Sequence, residues 1–348
     1  MRVLAIQLKR IGDVILTTPA IRALTEQGIR VTLLVDGGCA SLLPAIAGAD
    51  EKLVYQKLGV NGQLWRRLKA DGWDAVLDFT GNDRSALITL VSRAQRRVTF
   101  DWVRARWWKR VVYREYVDSP VRNVHTCDHY LDLARSLGLP QVCDTTPLLQ
   151  VPDAANGEVS KLLTAAGIRG DFVLVHPGTA RPEKYWPVAR WAEVIGRLRE
   201  RGVAVVITSG PDAFEQRHVR EVMLDVEKSG RAMTGAMALL TPTDLLGLAA
   251  LIARARLVLS CDTSVVHFAA AFQRPQVALF GPTNPFHWRP RHAGAVVLSA
   301  SSPEGPITEF QPKMKGAPME ALPVQPVWTA AEHLWSHSPS ASASASKT

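Results

Sequence analysis

The feature that most constrains this chain is a repeated alternation. Continuous apolar runs of five to seven residues alternate with longer stretches of helical period. Such runs become strands buried on both faces, as in a parallel sheet covered by helices. The runs fall into two sets. The first comprises residues 2–8 ("RVLAIQL"), 30–35 and 74–79, with helical patterns near 18–27, 40–47 and 60–71. The second comprises residues 172–176, 203–208, 256–260 and 276–280, with helices near 188–201, 212–227, 243–254 and 264–272. The expected fold is α/β, with two Rossmann-like domains. A length of 348 residues also exceeds one ordinary core.

"LLQVPDAANGE" (148–158) reads as the linker, from its Pro and Asp content. The expected organisation is a first domain over 1–152, a second over 153–320, and a C-terminal helix within 321–337. The low-complexity tail, 338–348, is expected to be disordered.

A formal charge of +9 points to anionic partners. The four cysteines, Cys39, Cys127, Cys143 and Cys261, are scattered without metal spacing and read as reduced thiols in the cytoplasm. No apolar run has the length of a membrane span, and Lys9 and Arg10 interrupt the N-terminal run too early for a signal peptide. Any membrane contact is therefore expected to be peripheral. No G-x-G-x-x-G follows the first strand, no Walker A sequence occurs, and no Cys/His array suggests zinc. Neither a helix-turn-helix nor an RNA-binding motif is evident, so nucleic acid is not an expected partner.

Polar signals gather where strands end, the edge at which open α/β sheets bind ligands. The first βα turn, "LKRIGDVILTTP", has one glycine, Gly12, and a carboxylate, Asp13, where Rossmann turns commonly hold a phosphate. Asp13 is an N-cap or a chemical group. "VHPGTARPEKYWP" places His176 and Gly178 in a turn and Lys184 in the next loop, as a diphosphate partner or a solvated cation. Asp212 in "SGPDAFEQR" is a ribose ligand or a helix N-terminal acid. "SCDTSVVHFAAA" puts Asp262, Thr263 and Ser264 at a helix start, as caps or as a phosphate cradle. His267 faces a site or the interior.

In this order, "LKRIGDVILTTPAIRAL", "HPG…EKYWP…WAEVI", "SGPD", "DTSVVHFAAA" and "QVALFGPTNPFHW" resemble the glycosyltransferase family 9 heptosyltransferases, nearest the heptosyltransferase III type. "HTCDHYLDLARSLGL" (125–139) looks like a family segment too. The resemblance implies a GT-B architecture, two Rossmann-like domains with parallel sheets facing across a cleft. It also implies an ADP-heptose donor, a phosphorylated lipopolysaccharide inner-core acceptor, and inverting transfer without metal or cofactor. Asp13 falls on the family's general base and Lys184 on its diphosphate contact. His176, Gly178, Thr179, Asp212, Asp262, Thr263, Ser264 and His267 fall on the donor side, with Glu215 a rival to Asp212. Ser264 departs from the family's usual glycine, and its Cβ bears on donor identity. A different nucleotide sugar is the alternative reading.

Residues 93–122 interleave arginines with Trp102, Trp107 and Trp108. Guanidinium forks suit phosphate, and indole rings suit sugars or a membrane interface. Arg104, Arg106 and Arg110, with Lys9 and Arg10 beside Asp13, are the candidate acceptor contacts. The other reading of this segment is a solvated basic loop. The expected location is the cytoplasmic face of the inner membrane.

Overall fold

The apolar runs form the central strands of two parallel sheets. In the computed structural model, which describes residues 1–230, 232–242 and 244–340, the chain divides after Gln150 into two units.

In the first unit β1 (Arg2–Gln7) leads to α1 (Ile11–Glu26), β2 (Arg30–Asp36), β3 (Glu51–Tyr55), α2 (Gly62–Ala70), β4 (Ala75–Asp78) and α3 (Asp83–Ser92). β5 (Arg96–Phe100), α4 (Lys109–Val112), β6 (Glu115–Val117) and α5 (Thr126–Arg135) follow. The strand order is β3-β2-β1-β4-β5-β6. β1 pairs in parallel with both β2 and β4, and Val3, Leu4, Ala5 and Ile6 are wholly buried. Helices on both faces of the sheet make that complete burial possible.

The stretch expected near 40–47 forms a 3₁₀ helix, Gly37–Ala45, closed by Pro44 and capped by Asp36, whose side chain accepts from Gly38 N. α1 starts earlier than residue 18 and runs through Pro19. Gly12 is therefore a helical residue in the first turn, not the pivot of a tight turn. Proline has no N–H for the Ile15 carbonyl. The Thr18 hydroxyl donates to that carbonyl at 2.7 Å and accepts from Leu148 N at 2.9 Å.

In the second unit α6 (Asp153–Ala165) is followed by β7 (Phe172–His176), α7 (Val188–Glu200), β8 (Ala204–Ile207), α8 (Ala213–Lys228) and β9 (Met237–Leu239). α9 (Leu245–Arg254), β10 (Leu257–Cys261), α10 (Ser264–Ala271), β11 (Gln276–Phe280), β12 (Ala295–Ser299) and α11 (Val324–His337) complete it. The order β12-β11-β10-β7-β8-β9 is that of the first sheet read from the other end. Trp186 and Trp191, edge to face at 5.0 Å, pack into the core beneath α7 and α11.

The linker is shorter than residues 148–158. Leu149 bridges Ile46, Gln150 N donates to Ala45 O at 2.8 Å, and α6 begins directly after Pro152. Asp153 in its first turn suits the positive end of the helix dipole. Of the tail, residues 341–348 lie outside the described residues. In each sheet the strand order reverses at one point, between β1 and β4 and between β7 and β10. Open α/β sheets bind ligands just outside such a point.

Candidate active site

The first switch point holds Asp13. α1 has Arg10 at its N-cap position and no side-chain cap, so Asp13 does not cap its own helix. Its Oδ1 instead accepts from the Tyr130 hydroxyl, at 2.5 Å. Tyr130 stands on α5 with its ring edge against Phe79, 5.6 Å away. Burial first, then the Asp13 charge, raises its phenol well above the ordinary value. It therefore keeps its proton and serves as a donor. The Lys9 amine lies over the Tyr130 ring and donates to its hydroxyl at 3.5 Å. Burial lowers the Lys9 pKa, against the pull of Asp13 and Asp78.

Asp78 ends β4 across the same switch point and is wholly buried. Its Oδ1 accepts from Thr80 N and Gly81 N at 2.8 and 2.9 Å, and its Oδ2 from the Tyr113 hydroxyl. Burial pushes its pKa up. Asp78 shapes the β4–α3 turn, whereas Asp13 keeps Oδ2 out of any hydrogen bond among the described residues.

Beside that turn lies a cavity of about 540 Å³ whose lining includes Gly81, Arg84, Trp102, Arg106 and Lys109. Lys109 fixes its floor. The buried amine donates to Gly81 O at 2.8 Å and pairs with Asp83 at 3.0 Å. Gly81 has φ +67°, and a Cβ there would stand 2.9 Å from the Trp102 ring. Only glycine satisfies both conditions.

The acceptor candidates divide. Arg106 lines the cavity, while Arg104 pairs with Asp101 at 3.4 Å and lies over the Tyr116 ring. Arg110 donates to Arg104 O, and Arg10 is exposed. Residues 93–122 are not a plain loop, because β5, a 3₁₀ turn, α4 and β6 occupy much of the segment.

The second switch point is more tightly knit. Lys184 Nζ pairs with Asp262 Oδ2 at 2.6 Å, both side chains nearly buried. Thr263 caps α10 by accepting from Val265 N at 3.3 Å, and Ser264 is the first helical residue, half-buried. His267 is buried one turn further on. At the end of β7, His176 Nδ1 meets Thr208 Oγ1 at 2.8 Å and its Nε2 lies 3.2 Å from Glu215 Oε1. Gly210 N donates to the same Glu215 oxygen at 2.5 Å. Burial pushes the Glu215 pKa up, but His176 and Gly210 outweigh it and leave it lowered. A Cβ on Gly178 would fall 2.2 Å from Glu215 Cγ, so glycine is what lets the carboxylate in. Thr179 follows, buried, its hydroxyl accepting from Arg181 N.

Asp212 stands at the start of α8, in the position of a helix N-terminal acid. Its Oδ1 caps α8, accepting from Phe214 N at 2.9 Å and Glu215 N at 3.4 Å. Glu215, three residues on, is buried where Asp212 is exposed. Sequence reasoning also missed Tyr130, Asp78, Thr208 and the cavity residue Arg84. Tyr130 lies in a segment singled out by resemblance alone. Among the described residues, no three or more His, Cys, Asp or Glu side chains gather as a metal site.

Two Rossmann-like domains of one strand order, each with polar side chains at its switch point, define an α/β protein of the GT-B class. The profile of glycosyltransferase family 9 (heptosyltransferase) matches residues 61–317, and the chain belongs to that family. It is a glycosyltransferase. It is 25% identical to lipopolysaccharide heptosyltransferase 3 of Escherichia coli K12 over 335 residues, covering 93% of this chain and 95% of that one. It is 28% identical over 306 residues to lipopolysaccharide heptosyltransferase 1 of the same strain, covering 82% and 89%. The fold matches the structure of E. coli ADP-heptose lps heptosyltransferase II with a TM-score of 0.78, at 21% identity, covering 96% of this chain and 98% of that one.

Proposed function

We propose that the chain transfers heptose from ADP-heptose to the phosphorylated inner core of lipopolysaccharide, with inversion and without a metal ion. The observation that carries this reading is the Asp13 carboxylate, held by Tyr130 but not used on its own helix. A sugar hydroxyl is a poor nucleophile, and a positioned carboxylate takes its proton as it attacks the anomeric carbon. The leaving ADP gathers negative charge on its β-phosphate. Lys184 and the N–H groups at the start of α10 are the groups suited to stabilise that charge. Asp262 holds the lysine in place until the donor arrives.

In this reading the first unit supplies the base and the acceptor contacts, and the second holds the donor. Lys9, Arg10, Arg104, Arg106 and Arg110 are the acceptor-side cations. The cavity beside Gly81 suits an anionic sugar, with Arg84 and Arg106 for its charge and Trp102 for its apolar face. Glu215 replaces Asp212 as the acid toward the ribose, and His176, Gly178 and Thr179 shape that side. The acceptor is a membrane lipid, so the reading includes peripheral contact with the cytoplasmic face of the inner membrane. Among the described residues no helix is long and apolar enough to cross a membrane.

Ser264 supports a second reading, a different nucleotide-sugar donor, because its side chain stands at the first residue of α10. ADP release with ADP-heptose, tried against cores truncated at successive sugars, tests the first. Release at an unchanged rate after dialysis against a chelator is expected. Thermal shifts with UDP or GDP larger than with ADP would favour the second reading.

A further inference from the structure

We propose that the face formed by α3, α4 and the turn between β5 and α4 is the part of the chain that lies on an anionic lipid bilayer. The inference deepens the peripheral contact proposed above and rests on that reading for its choice of a membrane.

The solvent side of a helix in a globular domain is ordinarily polar. α3 departs from that rule. Ala86, Ile88 and Thr89 face the core, yet Leu87 and Leu90, three residues apart on the outer side, are exposed. Trp107, in the turn before α4, and Val111, within it, are 78% and 73% exposed. Trp102 is half-exposed at the neighbouring turn. These apolar side chains stand among cations.

Three of the positive charges here are matched: Lys109 by Asp83, Arg104 by Asp101 and Arg96 by Glu115. Arg84, Arg93, Arg106, Arg110 and Arg114 are exposed and pair with no carboxylate among the described residues. A face with indole and aliphatic knobs between unmatched guanidinium groups fits a surface that is anionic outside and apolar just beneath. A bilayer with acidic headgroups has that profile. A polyanion alone would use the arginines and leave Leu87, Leu90 and Val111 without a role.

The test is sedimentation with vesicles, in which no transfer is measured. The full chain is expected to bind vesicles of mixed phosphatidylglycerol and phosphatidylethanolamine, and to bind pure phosphatidylcholine vesicles weakly. Trp107→Ala with Val111→Ser is expected to weaken anionic-vesicle binding about tenfold, and Arg93→Glu with Arg114→Glu comparably. The melting temperature and ADP binding should stay as in the parent, which separates the effect from misfolding. Parent and variants binding alike, or no binding of the parent to the anionic vesicles, would overturn the proposal. So would duplex DNA that displaces the vesicles at equal phosphate concentration. The proposed chemistry is scored apart, on a deacylated soluble acceptor. Failure there with ADP-heptose defeats the transferase reading and leaves the vesicle result standing.

Discussion

The Tyr130 hydroxyl donates to Asp13 Oδ1 at 2.5 Å, fastening a side chain of α5 to the carboxylate at the head of α1. One oxygen is fixed by a neutral donor, and the other is the one the proposed base would use. Asp13→Asn is expected to lower kcat by about 10²–10⁴, with the KM for ADP-sugar unchanged. Tyr130→Phe should lower it by about tenfold, since a hydrogen bond to a charged group is worth about 1.5–3 kcal/mol and a mispositioned base still works. Because the two residues act through one carboxylate, the double variant should be no slower than Asp13→Asn alone. Additive losses in ADP-release assays would separate Tyr130 from the base.

Lys184 is predicted to act on the departing diphosphate. Lys184→Met should lower kcat by about 10²–10³, the range seen when one oxyanion donor is removed. Isothermal titration with ADP should show weaker binding in the same variant. Full turnover with intact ADP affinity would end the assignment and leave the Asp262 pair purely structural.

The space around Glu215 makes a sharp packing prediction. Gly178→Ala drives a methyl group into the Glu215 side chain, at 2.2 Å before relaxation. The cost should be about 1–3 kcal/mol in unfolding free energy, the usual range for overpacking. Nucleotide affinity should fall with it. Gly157→Ala, inside α6 where an added Cβ meets nothing within 4 Å, is the control and should melt at or slightly above the parent, since alanine is favoured over glycine in a helix by up to about 1 kcal/mol.

Acid should loosen the first unit through His129. Its ring stacks on Phe100 at 3.7 Å, and burial, with the Lys9 charge, lowers its pKa to about 3. An unfolded histidine titrates near about 6.5. The neutral ring is therefore favoured in the fold. That stabilisation is complete above the unfolded value and is lost as the pH falls toward the folded one. The slope is about 1.4 kcal/mol per pH unit in that window. Replacing His129 by Gln should shrink the stability difference between pH 7.5 and pH 5.5 measured by urea unfolding. An unchanged difference would place the acid sensitivity elsewhere.

Which strands were legible in the sequence follows from where they lie. β1, β2, β4, β7, β8, β10 and β11 sit inside their sheets, and burial on both faces makes them continuous apolar runs. β3, β6, β9 and β12 are edges. "EKLVY" and "EYV" carry charges because one side meets solvent, and three residues of "MAL" are too few to show a period. "RRVTF" of β5 was hidden by its leading arginines, one of which pairs with Glu115.

The site shows the same division. The placement of Lys184, Asp262 and Asp13 at the strand-end edge could be read because each follows closely on a continuous apolar run. Tyr130 could not, since it reaches Asp13 from 117 positions away. The cap at Asp212 and the carboxylate at Glu215 differ by three residues on one helix. Only the fold shows which of the two faces inward.

The bond between Leu148 N and the Thr18 hydroxyl turns a repair into a gauge. That hydroxyl mends the gap Pro19 leaves in α1, and it also holds the segment leaving the first unit. Exchange of the Leu148 amide with deuterated solvent therefore reports, from outside the helix, whether the helix bearing Asp13 is intact. A ligand that braces α1 should slow that single amide. Thr18→Val should release it, while Thr18→Ser keeps it closed.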